Sequence, residues 1–356
     1  MKYPILFILL AFSISSVGCG KSNDAPKTGT NPPEVNPPVV ERPGSIGIVG
    51  DTANVVRTTT GGMVLMGGGA DVEGAFKWMI ERSGGGDVVI LRATGTDAYN
   101  PFVNRLGTVN SVETLLINSR ELANNDKVAY IIRNAEMVFI AGGDQSDYMT
   151  YWRGTKTEAA LNYLLNEKKA PVGGTSAGCA ILGGFYYSGE AGGVTSATAL
   201  LNPYAAAVTL YNNDFLKAPF LQNVITDQHY LTREREGRHM VFLGRIQKDW
   251  NITAKGIAAD ERTAVCIDKD GKAKVIGTSR AYFLIPDAGK LPEQMETGKP
   301  VIWNRNKQAV SVYEMQATPE GSGNFNVATF AASEASGGKW YWWSVDNGQL
   351  FKTDQN

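Results

Sequence analysis

The sequence predicts an α/β fold: a doubly wound, mostly parallel sheet with a nucleophile elbow, plus a small β-rich module at the C-terminal end. Three observations carry that prediction. From Ser45 onward, apolar runs of strand length alternate with amphipathic stretches of helix length, the order that builds parallel βαβ units. The runs at 63–66, 88–91 and 137–140 are continuously apolar, as strands covered on both faces are. Each run ends at a glycine or threonine turn, and ligands of such sheets sit at the carboxyl ends of the strands.

The composition agrees. Of 356 residues, 43% are apolar and 19% charged, the net charge is -1, and 40 glycines signal many tight turns and close backbone approaches. With no polybasic footprint, nucleic acid is not an expected partner. Before the sheet begins, Lys2 and the apolar run over 5–14 lead to the small residues Ser16, Val17 and Gly18. A run this short predicts a secretory signal over residues 1–18 and not a membrane span. Ser16-Val17-Gly18-Cys19 resembles the bacterial lipobox, with Ser16 where that pattern usually has Leu. The resemblance implies that Cys19 is lipidated and that the protein is extracytoplasmic, anchored to a bacterial membrane at the outer membrane or cell surface. An ordinary signal peptide with an incidental cysteine is the alternative. Residues 19–44 read as an extended spacer, because six of the 15 prolines lie between 20 and 43 with no apolar periodicity. Beyond Cys19 only Cys179 and Cys266 remain, too few for a disulfide framework, so both are expected as buried thiols.

Within the body, residues 45–285, the strand at 63–66 precedes a helical pattern over 71–82, and the strand at 137–140 precedes one over 148–169. Gly67-Gly68-Gly69 between strand and helix looks like a phosphate cradle. No Gly-Lys-Ser/Thr follows it and the dinucleotide spacing is absent, which argues against nucleotide binding. The most informative segment is Gly174-Thr175-Ser176-Ala177-Gly178, between a short apolar strand and an apolar helix. This pattern matches a nucleophile elbow, whose small flanking residues let the chain turn sharply and expose a serine Oγ. The Ala177 amide then faces the same space, ready to stabilise an oxyanion.

A serine nucleophile needs a base, and the chain has two histidines. His229 follows the apolar pair Val224-Ile225 and sits where a strand ends, whereas His239 lies in a helical pattern and reads as a surface or capping residue. Neither has the cysteine or carboxylate neighbours of a metal site, so no metal and no cofactor are expected. Arg233, Arg235 and Arg238 follow His229 closely. Three arginines usually form a solvated face, but here they are near enough to line the pocket of the base, and guanidinium groups bind carboxylates in bidentate fashion.

Ala141-Gly142-Gly143-Asp144-Gln145, Gly174 to Gly178, Asp227-Gln228-His229 with Arg233, Arg235 and Arg238, and Gly256 to Glu261 with Thr263-Ala264 resemble the signature blocks of cyanophycinases. These are serine peptidases of the family that also contains dipeptidase E, with a fold similar to class I glutamine amidotransferases. The resemblance spans roughly 61–285. It implies that Ser176 is the nucleophile and His229 the base, with the amides of Gly143 and Ala177 as the oxyanion hole. It also implies a substrate pocket lined by Gln145, Asp227, Gln228, Arg233, Arg235 and Arg238, and a β-linked aspartyl substrate cut to β-Asp-Arg dipeptides. The acidic triad member should follow the nucleophile, and Glu190 is the carboxylate between Ser176 and Asp214. Failing Glu190, a neutral group or Asp227 would orient His229.

The remainder, 286–356, lies outside the resemblance. Residues 301–303, 309–313, 325–330 and 339–345 read as strands of an antiparallel module. Trp340, Trp342 and Trp343 on the last of these read more readily as core than as a glycan or polymer surface. The sequence therefore points to a lipid-anchored serine peptidase acting on peptides with free carboxylates, as a monomer or a homodimer. The alternatives are an aspartyl dipeptidase, an α/β-hydrolase esterase, or a non-catalytic lipoprotein using the same cleft. Against the esterase, more than a hundred residues follow His229 and no His-Gly-Gly block is present.

Overall fold

A computed structural model describes residues 41–355. The signal, Cys19 and most of the spacer lie outside the described residues. The first sheet has nine strands, numbered here along the chain. In spatial order they are β1 (Ser45–Gly50), β4 (Ser111–Leu116), β3 (Asp87–Arg92), β5 (Met137–Ile140), β6 (Pro171–Thr175), β2 (Gly62–Met66), β11 (Thr263–Asp268), β12 (Lys272–Gly277) and β15 (Ser322–Asn326). The run β4-β3-β5-β6-β2 is parallel. Antiparallel strands flank it, β1 on one side and β11, β12 and β15 on the other.

Continuous apolar runs make β2, β3 and β5 because each strand needs an apolar side chain on both faces. Val64, Met66, Ile90 and Phe139 point to one core, where Phe76 and Met79 of the helix Glu73–Arg82 cover them. Met63, Leu65, Val89, Leu91 and Ile140 point to the other, beneath the helices Asp126–Asn134 and Lys156–Tyr163. Each such side chain contributes roughly 1.5–3 kcal/mol when fully buried. At the edge, Arg42 binds the buried Glu113 carboxylate through Nε (2.8 Å) and Nη2 (2.7 Å), fastening the start of the described chain to β4.

The second sheet has eight strands in the order β17 (Gln349–Asp354), β16 (Lys339–Asp346), β14 (Val310–Gln316), β13 (Arg280–Pro286), β10 (Lys255–Ala259), β9 (Val224–Asp227), β7 (Phe185–Tyr187) and β8 (Leu210–Asn212). Its parallel part is β7-β9-β10. Ile257, Ala259, Phe283 and Met315 share the core beneath the first sheet, while Ile225, Ala258, Leu284 and Val312 pack with Met240, Val241 and Ile246 of the helix Glu236–Trp250.

The structure departs from the sequence reading in three places. The helix expected over 148–169 is divided into Gln145–Trp152, Lys156–Tyr163 and a π-helical turn Leu164–Lys168, with the break at Gly154, whose φ is +70°. The C-terminal region is β-rich as expected, but its strands enter both sheets. β14, β16 and β17 extend the second and β15 borders the first, and the described residues 41–355 cluster as one compact unit. Residues 301–303 form no strand and make single bridges, Ile302 to Gln294 and Trp303 to Val345. On β16, Trp343 is core and Trp340 packs against Tyr313 at 4.7 Å.

This topology gathers the chemistry. Gly67 follows β2, Gly142 and Gly143 follow β5, and Ser176 follows β6; His229 follows β9 by two residues and Glu261 follows β10 by two. All six therefore follow carboxyl ends of parallel strands, four from the first sheet and two from the second. The turn Asp260-Glu261-Arg262 is also where the chain crosses from β10 in one sheet to β11 in the other.

Candidate active site

Ser176 ends β6 with φ 51° and ψ -116°, and the helix Ala177–Ala180 begins directly after it. A non-glycine residue held there costs on the order of 1–3 kcal/mol, so neighbours must impose the conformation. The Ser176 amide donates to Met66 O of β2 (3.1 Å), and its carbonyl accepts from Ala180 N (3.0 Å). Gly178 is required by space, since a Cβ there would lie 2.2 Å from Ile140 O of β5. The helix is thereby laid on the end of the neighbouring strand, and the serine is pushed out of the sheet. Gly142 borders it: a Cβ built on Gly142 would sit 3.9 Å from Ser176 Oγ. Among the described residues, neither the Gly143 nor the Ala177 amide donates a hydrogen bond within the protein.

His229 also has positive φ (47°), and its amide donates to Gly67 O at 2.7 Å. Its Nε2 lies 2.7 Å from Ser176 Oγ and its Nδ1 lies 2.7 Å from Glu261 Oε1. An ionised carboxylate only accepts, so Nδ1 carries the proton, leaving Nε2 to accept from the serine hydroxyl. Burial holds the imidazole below its usual 6.5, Glu261 pulls it back up, and the charges of Arg233 and Arg235 press it down again. At neutral pH it is an uncharged imidazole already hydrogen-bonded to the Ser176 hydroxyl. Gly68 makes room for it. With φ +98°, this residue carries its main chain so close beneath the ring that a Cβ would meet His229 Cε1 at 2.3 Å. The Gly67-Gly68-Gly69 run that imitates a phosphate cradle is thus a saddle for the imidazole.

The sequence model of peptidase family S51 matches residues 92–276, just over half of the chain, and that span holds Ser176, His229 and Glu261. The chain belongs to peptidase family S51. It is 26% identical over 237 residues to the cyanophycinase of Synechococcus elongatus, covering 63% of this chain and 68% of that protein. With the cyanophycinase of Trichormus variabilis it shares 27% identity over 175 residues, covering 49% and 53%. Among solved structures, a peptidase from an acI-B1 Actinobacterium aligns with a TM-score of 0.47 at 18% identity, covering 69% of this chain and 98% of that one. A putative peptidase E protein from Listeria monocytogenes aligns with a TM-score of 0.37 at 16% identity, covering 62% and 100%.

In this S51 peptidase, a serine-type enzyme, the carboxylate beside His229 is Glu261 and not Glu190. Glu190 is exposed in the loop after β7 and accepts from the Tyr211 hydroxyl at 2.7 Å. Glu190 precedes His229 in the chain. Glu261 follows it, because β9 and β10 are adjacent parallel strands whose ends lie side by side. The signal was in the sequence as the Asp260-Glu261 pair closing an apolar strand.

The three arginines divide. Arg238 binds Asp227 through Nε (2.9 Å) and Nη2 (2.5 Å), and the two side chains are 4% and 2% exposed. Both were expected to line the substrate pocket; instead each neutralises the other inside the protein. Burial alone would raise the Asp227 carboxyl, and the guanidinium groups of Arg238 and Arg235 more than offset it, holding it below its usual 3.8. Arg235 is half-buried, with Nη1 donating to Gln228 O (3.0 Å) and Gln228 Oε1 (2.6 Å). Arg233 is exposed. Gln145 begins the helix after Gly143 and touches the loop at Gly189, where a Cβ would lie 2.9 Å from its Nε2.

His239, expected at the surface or at a cap, is 0% exposed. The turns around His239 are covered on the outer side as well, by Leu200 against Gly237 and Met295 against Gly244, and residues 236–244 of this helix are all buried. Burial lowers His239 to about 4. Cys179 and Cys266 are buried free thiols.

Removing one partner of the Asp227–Arg238 pair strands a buried charge, which costs about 3–5 kcal/mol. Asp227→Ala and Arg238→Ala are each expected to lower unfolding stability by that amount in urea titrations, with the Asp227→Ala, Arg238→Met double variant recovering most of it. The Asp227 contribution is complete above the unfolded carboxylate pKa and is lost as pH falls through the lowered folded value. Wild-type stability in either single variant would remove the structural assignment.

Proposed function

We propose that this peptidase hydrolyses aspartyl peptides carrying a free carboxylate, such as β-Asp-Arg units of cyanophycin or similar β-linked aspartyl peptides, with Arg235 receiving that carboxylate. The observation that carries the substrate reading is the state of Arg235. Its guanidinium is largely desolvated, which lowers its pKa to about 10 and still leaves it charged at neutral pH. Nη1 is committed to Gln228, whereas Nε and Nη2 have no hydrogen-bond acceptor among the described residues. A cation withdrawn from water with donors unfilled is complementary to a carboxylate. Its field reaches His229, so the anion would dock beside the base. The similarity to cyanophycinases supports the same substrate class.

The mechanism follows from the three-residue chain. Ser176 Oγ attacks the scissile carbonyl carbon as its proton moves to His229 Nε2, and Glu261 stabilises the imidazolium through the Nδ1–H bond. The unpartnered amides of Gly143 and Ala177 receive the oxyanion, where each such donor is worth about 10²–10³ in rate. When the C–N bond breaks, His229 returns the proton to the leaving amine. Water then gives a proton to His229, attacks the acyl-serine, and the proton passes back to Ser176 Oγ as the ester opens.

The location is part of the same proposal. The lipobox-like Ser16-Val17-Gly18-Cys19 and the proline-rich spacer support an extracytoplasmic enzyme tethered through Cys19.

Three outcomes test this function. Glu261→Gln is expected to lower kcat by about 10³–10⁴-fold, since the amide holds the wrong tautomer, while Glu190→Gln stays within about threefold; the reverse order would return the acid to Glu190. Arg235→Ala should lose about 1.5–3 kcal/mol, or roughly one to two decades of kcat/KM, on an aspartyl substrate and far less on its amidated counterpart. Arg235→Lys should restore only part; an unchanged preference for acid over amide would end the carboxylate assignment. Cys19→Ser should move the protein from the membrane to the soluble fraction after cell breakage, and membrane retention of that variant would rule out Cys19 as the anchor.

A further inference from the structure

We infer that Asp260 is a positioning residue for the reaction, a single carboxylate that sets the spacing between the base and its acid. The inference rests on the reading in which His229 is the base and Glu261 its partner. Asp260 directly precedes Glu261 and is 6% exposed. Its Oδ1 accepts from Leu231 N (3.0 Å), Thr232 N (2.9 Å) and Thr232 Oγ1 (3.0 Å), and its Oδ2 accepts from Ser279 Oγ (2.7 Å). Leu231 and Thr232 are the second and third residues after His229. One side chain thus grips the turn that carries the base, while the next residue in the chain supplies the acid.

The grip is needed because the His229 conformation is not self-supporting. Its positive φ persists only where surrounding contacts over-determine it. On the near side the amide is held by Gly67 O; on the far side the turn is held by Asp260. The Asp260 main chain is itself fixed, its amide donating to Arg280 O of β13 at 3.0 Å. Burial would raise this carboxyl, but the donors around it more than compensate and hold it below its usual 3.8, so the grip persists through the pH range in which His229 is neutral. Asp260 has no hydrogen bond to Ser176 or His229. Its effect reaches the reaction through the 2.7 Å contact between His229 and Glu261.

Alanine at 260 strands the two backbone amides and releases the turn. Asparagine keeps an acceptor for them and turns its NH₂ toward Ser279 Oγ, which can accept. The test uses the full chain, with kcat and KM measured from pH 4 to 8 for Asp260→Ala, Asp260→Asn, Ser279→Ala and His229→Ala. Asp260→Ala is expected to lose about 10²-fold in kcat, the scale of a roughly 1 Å misplacement of a catalytic group, with KM within about threefold. Its acidic limb should move up toward 6.5 as water reaches the released imidazole, because burial is the largest cause of the lowered value. Asp260→Asn should recover most of kcat, and Ser279→Ala, which frees one oxygen and leaves the turn bonded, should lose only a few-fold on the same scale.

Asp260→Ala with kcat within twofold of wild type overturns the inference. So does an Asn variant no better than Ala, or a fall in kcat with an unmoved acidic limb, which is the behaviour of general destabilisation. If Asp260→Ala does not fold, Asp260→Asn and Ser279→Ala decide: a Ser279→Ala loss as large as that of His229→Ala, or an unfolded Asn variant, overturns it. His229→Ala separates the two levels. Activity in that variant removes the base assignment itself, whereas an inactive His229→Ala beside a wild-type Asp260→Ala removes only the positioning role.

Discussion

The hydrogen bond from the His229 amide to Gly67 O ties the two sheets together at the end where the site lies. Gly67 belongs to the carboxyl end of β2 in the first sheet, and His229 to the end of β9 in the second. Ser176 is referred to the same point, because its amide donates to Met66 O, one residue before Gly67. His229 and Ser176 therefore take their positions from adjacent peptide groups of one strand. The glycine saddle is a consequence: any Cβ at Gly68 would occupy the space of the imidazole. Glu261 joins the arrangement because the chain returns to the first sheet beside β2, with Arg262 N donating to Gly68 O.

Charge is distributed around this frame in two layers. Within the protein, Asp227 and Arg238 cancel each other at the end of β9, at the cost of desolvating two ions. Closer to the nucleophile the balance is uneven. Arg233 and Arg235 press the imidazole toward its neutral form while Glu261 draws it toward the charged one, and burial tips the result to neutral. An incoming substrate carboxylate would partly cancel the two cations. Under the proposed docking, binding such a substrate would favour the imidazolium that the reaction must form, a coupling of recognition to catalysis that needs no conformational change.

The parts of this arrangement that were legible in the sequence are those set by local pattern. Continuous apolar runs announced β2, β3 and β5, and Gly174-Thr175-Ser176-Ala177-Gly178 announced the elbow, because each needs only neighbours in the chain. His229 was legible as a histidine closing an apolar strand. What escaped was set by which strand ends become neighbours. Glu261 lies 32 residues after His229 yet touches it, since β9 and β10 pair in parallel register with Asp227 opposite Ala258. Arg238 and Asp227 look like pocket residues by their proximity to His229, but the helix starting at Glu236 turns Arg238 inward onto Asp227. His239 misled in the same way, because its helix is covered on both sides by segments far away in sequence.

The central claim is that His229 is held as a desolvated, neutral base between Ser176 and Glu261. The chain has only two histidines, so an NMR titration of the imidazole signals in the full-length Ser176→Ala protein reads both without ambiguity. One imidazole should titrate below 6.5, move upward in Arg233→Ala as a repelling charge is removed, and move downward in Glu261→Gln as the stabilising carboxylate is lost. The other, His239, should stay neutral down to about 4. A His229 signal that titrates at or above 6.5 and ignores both substitutions would contradict the account, because it would describe a solvated imidazole with no partner at Nδ1.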